Sequence, residues 1–222
     1  MRRISSAWLL ATLAILLPVI VLYSMTVGTV SISMAEAFSA AVDRLFSSAD
    51  SIGQTQVILF DIRLPRILLA LLVGAILAST GAVMQGLFRN PLADPSLIGV
   101  SGGASVGASL MIVLAGGAVE SGLLMGLSLV ALGAFVGGFA ATILVYRLAT
   151  SGIGTSVTTM LLAGIAIGAL AGALNSLLSY FADNDMLRQI SLWQMGNLSG
   201  ASWTKVTIMG AVALLLIGLF PR

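Results

Sequence analysis

The chain has 222 residues, 59 % hydrophobic and 8 % charged, with a formal net charge of +2. Soluble domains carry roughly 45–50 % apolar and 25 % charged residues, so this composition excludes an ordinary water-soluble globule and points to lipid as the solvent. There is no Cys and no His, which excludes thiol chemistry, imidazole catalysis and the usual Cys/His metal centres. The small, scattered positive charge gives no footprint for nucleic acid.

Arg2 and Arg3 lead into an apolar run over 7–23. That run is longer than the roughly 7–15 residues of a signal-peptide core, so it reads as a retained span. A spanning helix takes about 20 apolar residues, and six windows meet or approach that: 7–25, 67–84, 97–115, 123–146, 157–180 and 206–220. Every Asp, Glu, Lys and Arg falls outside them. The runs are continuous rather than alternating, so the expected fold is all-α, a polytopic transmembrane helical bundle forming a single domain over 1–222.

With the N-terminus inside, Arg2, Arg3, Arg89, Arg147 and Arg222 lie on the cytoplasmic side and Arg44, Arg63, Arg66, Arg188 and Lys205 outside. The basic residues are tied, so the positive-inside rule alone decides nothing. The acids Glu36, Asp43, Asp50, Asp61, Glu120, Asp183 and Asp185 gather outside, against Asp94 inside. That clustering, and the leading Arg pair, favour an N-inside orientation.

Between the first two spans, Met34, Ala37, Phe38, Ala41 and Leu45 recur at helical spacing, which predicts an amphipathic helix on the outer surface. Segment 181–205 carries Trp193 and Trp203, residues typical of the membrane–water boundary. Glycines repeat every four residues at Gly99, Gly103 and Gly107, at Gly133 and Gly137, and at Gly164, Gly168 and Gly172. In lipid, small residues so spaced let helix backbones approach closely, so all eight are expected on packing faces.

Two motifs carry most of the remaining information. Arg63-Leu64-Pro65-Arg66 puts two fixed charges at the mouth of the second span, with Pro65 near the helix start, where its missing N–H is not needed. Arg suits bidentate carboxylate recognition, although headgroup anchoring would use the same residues. Arg89-Asn90-Pro91-Leu92-Ala93-Asp94-Pro95 reads as a tight inner turn in which Asp94 caps the third span and could pair with Arg89. Asn175 and Ser179, one helical turn apart, share a face.

The pieces RLPR, LLVGAILASTGAVMQG, FRNPLADP and LIGVSGGASVGA, in this order within 61–107, resemble the signature of the FecCD-type permeases. These are the membrane subunits of ABC importers for iron-siderophores, haem and vitamin B12. Weaker similarity extends over nearly the whole chain, through TTMLLAGIAIGAL and LRQISLWQMGNLSGASW. The resemblance implies a periplasmic binding protein docking on Arg63 and Arg66. It also implies a second permease copy, two cytoplasmic ATPase subunits that bind the ATP and Mg, and no cofactor on this chain. It points to Thr158, Thr159, Asn175, Ser176 and Ser179 as pathway or gate residues, with interhelical hydrogen bonding as the plainer role. Family members have ten spans, so about six are expected here, one half plus a sixth helix. Segment 187–203 looks most like haem permeases, which orders the cargo as haem, siderophore, cobalamin.

Other function classes fit less well. The chain has no G-x-x-x-x-G-K-[ST] loop, so ATP would be bound by a partner. An ion-coupled secondary transporter would keep acidic or basic groups within its spans, and these windows have no Asp, Glu, Lys, Arg or His. An intramembrane enzyme lacks any acid–base or metal constellation.

Overall fold

The computed structural model describes residues 6–46, 53–115, 129–152 and 154–219. Arg2, Arg3, Asp50, Glu120 and Arg222, the start of the window at 123 and the end of the one at 220 lie outside them. In chain order come α1 (Ser6–Thr26), α2 (Met34–Phe46), the short α3 (Gln54–Gln56), a π-helical stretch (Val57–Arg63) and α4 (Leu64–Phe88). A 3-10 turn (Pro95–Ile98) then precedes α5 (Val100–Ala115), α6 (Leu129–Ala149), the β1–β2 hairpin (Thr150–Ser151 and Gly154–Thr155), α7 (Val157–Phe181), α8 (Asn184–Met195) and α9 (Trp203–Leu219). Each expected span thus has a helix. Four of them, Ala7–Thr26, Gln54–Phe88, Leu129–Ala149 and Val157–Phe181, are long and apolar enough to cross a membrane, while α5 and α9 are shorter apolar helices. The antiparallel hairpin was not anticipated, since two-residue strands leave no periodicity to read.

Contacts divide the chain into two compact units, one up to Val73 plus residues from Leu198 onward, the other Gly74–Asn197. In the first, α1 keeps Pro18 within its apolar run, and its side chains are almost all exposed, a surface suited to lipid. Helix α2 opens with a capping box. The Ser33 N–H and hydroxyl donate to Glu36 at 2.8 and 2.9 Å, and the Glu36 N–H donates to the Ser33 hydroxyl at 3.2 Å. Its packed face is narrower than the spacing predicted: Ala37 and Ala40 meet Ile32 and Leu59, while Met34 and Phe38 stay exposed.

The start of the second span corrects the reading of Pro65. Helical structure runs unbroken from Gln54 to Phe88, so Pro65 lies inside a helix. An interior Pro removes one N–H and its ring collides with the carbonyl four residues back. The π-helical turns just upstream supply the wider winding that accommodates it, with the Leu64 N–H reaching the Leu59 carbonyl. The next N–H in that pattern would belong to Pro65, which has none, so the Phe60 carbonyl loses its partner. The Trp203 indole N–H donates to that carbonyl at 3.1 Å. Trp203 thus has a specific structural task besides any boundary role.

In the second unit α4 ends in a Schellman motif: the Arg89 N–H donates to the Gly86 carbonyl and the Asn90 N–H to the Gln85 carbonyl. Arg89 sits at φ 49°, the left-handed position usually given to glycine. Pro91 then prevents the helix from continuing. Asp94 does act as a cap, but of the 3-10 turn, accepting the Ser96 N–H at 2.8 Å. Gly99, at φ 77°, separates that turn from α5, so the third helix begins at Val100 rather than at 97.

The α5–α6 crossing is backbone against backbone. A Cβ at Gly107 would strike the Gly133 carbonyl, and one at Gly103 the Gly137 carbonyl; the reverse substitutions collide likewise. Gly164 bears on the Leu97 carbonyl, whereas a Cβ at Gly168 or Gly172 meets nothing within 4 Å. The α7 repeat packs most closely at Gly164, the Gly168 Cα lies 3.4 Å from where a Cβ on Gly102 would stand, and Gly99 serves both the turn and the packing face, since a Cβ there would lie 3.2 Å from Ile167 Cγ2. Helix α8, N-capped by Asp183, lays Ile190, Met186 and Trp193 against Ala108, Ile112 and Val130, which makes Trp193 a packing residue.

Two predictions follow from this packing. Ala in place of Gly107 gains about 1 kcal/mol of helix propensity, but overpacking against a carbonyl costs about 1–3 kcal/mol. Thermal unfolding in detergent should show Gly107→Ala destabilised and Gly172→Ala unchanged or stabilised; equal effects would contradict the crossing. At the α2 cap, bonds from the Ser33 backbone N–H and then its hydroxyl hold the Glu36 carboxyl below its ordinary value of 4.5. A depressed folded value means the cap stabilises α2 above the unfolded pKa and is lost as pH falls through the folded one. Amide exchange in the first turn of α2, corrected for intrinsic rates, should accelerate below about pH 4, and in Glu36→Gln this pH step should disappear.

Candidate functional site

The two arginines of the RLPR motif have different surroundings. Arg63 ends the π-helical stretch, and its guanidinium turns back onto the end of α1. Nη1 donates to the Met25 carbonyl at 2.5 Å and Nη2 to the Val30 carbonyl. Carbonyls in the last turn of a helix have no intrahelical partners and carry partial negative charge, so a cation there both caps and neutralises. Gly28 leaves the room, since a Cβ there would lie 2.6 Å from Arg63 Nη2. Arg63 thereby stitches the end of α1 to the start of α4.

Arg66, one helical turn further on, is exposed and makes a long hydrogen bond, 3.4 Å, to the Ser199 carbonyl. Lys205 donates to the neighbouring Gly200 carbonyl at 2.7 Å. The turn before α9 thus holds two cations on adjacent carbonyls, with donors left over for an anionic partner. Lys205 was not singled out from the sequence. It is 139 positions from Arg66, and no local pattern links them. Arg44 is committed elsewhere, lying 5.2 Å over the Phe60 ring and 3.9 Å from Asp61, an exposed pair of little energetic weight.

In the 89–95 turn, the Asn90 side chain accepts the Leu92 N–H at 3.0 Å. Arg89 and Asp94 do not pair: the Asp94 carboxylate is held by Ser96, whose hydroxyl and N–H keep it below its ordinary value. The turn is built from Asx bonds and prolines, not from a salt bridge. At the start of α7, Ser156 caps by accepting the Thr159 N–H and hydroxyl at 3.3 and 3.0 Å, with Thr158 exposed beside it. The Thr150 and Thr155 hydroxyls, 3.0 Å apart, close the hairpin just before.

Asn175 forms the principal polar contact between helices of this unit. Its Nδ2 donates to the Ser105 hydroxyl and the Ala171 carbonyl, both at 3.1 Å, and its Oδ1 accepts the Ser109 hydroxyl at 2.7 Å. Ser109 is fully buried. The amide therefore clamps α7 to α5 with both of its ends used. Ser176 donates to its own helix at Gly172, and Ser179, half-buried, follows Asn175 by one turn. Beside the α5–α6 crossing lies an apolar groove of about 520 Å³ lined by Gly103, Gly107, Gly137, Ile167, Ala171 and Leu174 among others. Among the described residues no three acidic groups converge to hold a metal.

Interhelical hydrogen bonds in membranes are worth about 0.6–2 kcal/mol, and Asn175 makes two to α5. Asn175→Ala should lower stability in detergent by about that much. A double-mutant cycle with Ser109→Ala should be non-additive; strict additivity would remove the clamp.

The model of the FecCD transport family matches residues 16–220. The chain is 40 % identical over 212 residues to the hemin transport system permease protein HmuU of Yersinia pestis, covering 96 % of this chain and 60 % of that protein. It is 39 % identical over 211 residues to the vitamin B12 import system permease protein BtuC of Klebsiella pneumoniae, covering 95 % and 57 %. A solved metal-chelate type ABC transporter in an inward-facing conformation superposes with a TM-score of 0.74 at 31 % identity, covering 96 % of this chain and 61 % of that one. The chain thus spans about 60 % of the length of these relatives. It is a multi-pass helical membrane protein and belongs to the FecCD transport family.

Proposed function

We propose that the chain is part of the permease subunit of a bacterial ABC importer, residing in the inner membrane with its N-terminus in the cytoplasm. In this reading residues 1–222 belong to one permease domain. It pairs with a second permease copy, receives cargo from a periplasmic binding protein and is driven by two ATPase subunits that hold the ATP and Mg. The observation that carries the reading is the family match over 16–220, joined to six apolar windows that contain no Asp, Glu, Lys, Arg or His. Those windows offer no acidic or basic group with which to couple transport to an ion, so the driving energy comes from a partner.

Haem is the first cargo, ferric siderophore the second and cobalamin the third. The identities of 40 % to a hemin permease and 39 % to a B12 permease do not separate them; the order rests on segment 187–203. An iron-starved strain deleted for this gene should fail to grow on haem and should recover with the gene restored. Undiminished growth of the deletion strain on haem would remove haem from the list.

Docking falls to Arg66 with Lys205, whose exposed cations suit carboxylates on a binding protein. Arg63 acts on the same surface by positioning, since its donors are engaged with α1. Thr158, Thr159, Ser176 and Ser179 supply hydroxyls to the pathway, and Asn175 holds the α7 wall in place. Charge reversal at Arg66 should weaken binding-protein affinity by about tenfold, or 1.4 kcal/mol, at low salt. The effect should shrink as the Debye length falls toward 3 Å at 1 M. Arg63→Ala should instead lower thermal stability. Unchanged affinity in Arg66→Glu would return that residue to headgroup anchoring.

A further inference from the structure

Helix α2 divides into three sectors around its axis. Ala37 and Ala40 pack on Ile32 and Leu59, with Arg44 alongside over the Phe60 ring. Glu36, Ser39 and Asp43 form a polar sector. Met34, Phe38 and Val42, at four-residue intervals and therefore in line, form a third; Phe46 extends it at the C-terminal end. This third sector is apolar and uncovered: Met34 is 57 % exposed, Phe38 72 % and Phe46 84 %.

The level of α2 relative to the bilayer follows from its tethers. Its chain leaves the α1 span at Thr26, and the Ile32 N–H returns to the Thr26 carbonyl. Arg63 fastens the intervening segment at Met25 and Val30. On the other side α2 packs against Ile58, Leu59 and Phe60, within two turns of the start of α4. The helix Gln54–Phe88 has 35 residues, about 50 Å at 1.5 Å per residue, against a hydrocarbon core of about 30 Å. Its first turns, and α2 with them, therefore stand in the interfacial layer.

From this we infer that α2 is an interfacial helix whose Met34–Phe38–Val42 face is covered by phospholipid acyl chains. The three sectors match the three media at that depth: protein, water and lipid. A protein partner would need no such fixed depth. The polar sector is acidic, unlike the basic face of helices drawn to anionic headgroups, so apolar burial and not headgroup charge seats it. The inference is independent of the cargo and of the docking residues.

The test uses the absence of native Cys in this chain, which makes single-site spin labelling clean. Phe38→Cys, Val42→Cys and Asp43→Cys, each nitroxide-labelled, are reconstituted into phosphatidylcholine vesicles, with and without phosphatidylglycerol. Collisions with oxygen, which concentrates in lipid, should exceed those with a water-soluble nickel chelate at Phe38 and Val42. The ratio should reverse at Asp43, and anionic lipid should leave all three unchanged. Nickel-chelate dominance at all three sites would place the face in water. Exclusion of both reagents from Phe38 and Val42 would mean that protein covers it. Either result overturns the inference.

Discussion

In hydrocarbon a polar group without a partner is costly, because no water is present to bond it. Much of the local architecture answers that constraint. Hydroxyls within the helices turn back on their own carbonyls, as Ser79 does on Ala75 and Thr142 on Gly138. Asn175 uses both ends of its amide on α5 and its own helix. Trp203 supplies the donor that Pro65 withholds from Phe60, and Arg63 takes up the Met25 carbonyl in the last turn of α1 and the Val30 carbonyl beyond it. Among the described residues no buried side-chain nitrogen or oxygen lacks a partner.

The same solvent removes the usual reason for helices to associate, since lipid tails are as apolar as Leu. Close contact has to come from shape. At the α5–α6 crossing, Gly103 and Gly107 meet Gly137 and Gly133 so tightly that a single methyl group collides with backbone. Close packing of this kind extends to Gly164 against Leu97, which fixes the start of α7 beside the 3-10 turn. Asn175 then sets the relation of α7 to α5. Steric fit and one satisfied amide thus do, in this unit, what a hydrophobic core does in water.

The spans were legible because a continuous apolar run of sufficient length has few alternatives in lipid. The amphipathic α2 and the α5–α6 glycines were legible for the same reason, as periodicities of a helix. Local sequence could not show what depends on distant chain. Nothing near Arg63 announces that its guanidinium will cap α1, and nothing near Arg66 names Lys205. Pro65 misled because the rule for Pro at helix starts says nothing of an upstream π-helical stretch that admits it. The Arg89–Asp94 pair failed because Asp94 has a nearer donor in Ser96, and a local Asx bond forms before a longer ion pair. Gly172 shares the spacing of the packing glycines but a Cβ there would meet nothing within 4 Å, a difference that spacing alone does not encode.

In the proposed reading, spans whose apolar windows hold no Asp, Glu, Lys or Arg change state through forces applied at their ends. The boundary residues divide between Arg63, which fixes the scaffold, and the exposed Arg66, which the same reading assigns to a partner. The central claim is therefore that the driving energy enters from outside the chain. The most direct measurement is haem uptake by proteoliposomes containing the permease with its ATPase and binding protein, with no ion gradient imposed. The account predicts uptake that requires ATP hydrolysis and is indifferent to dissipating proton and sodium gradients. Uptake that follows an imposed ion gradient and proceeds without ATP would contradict it.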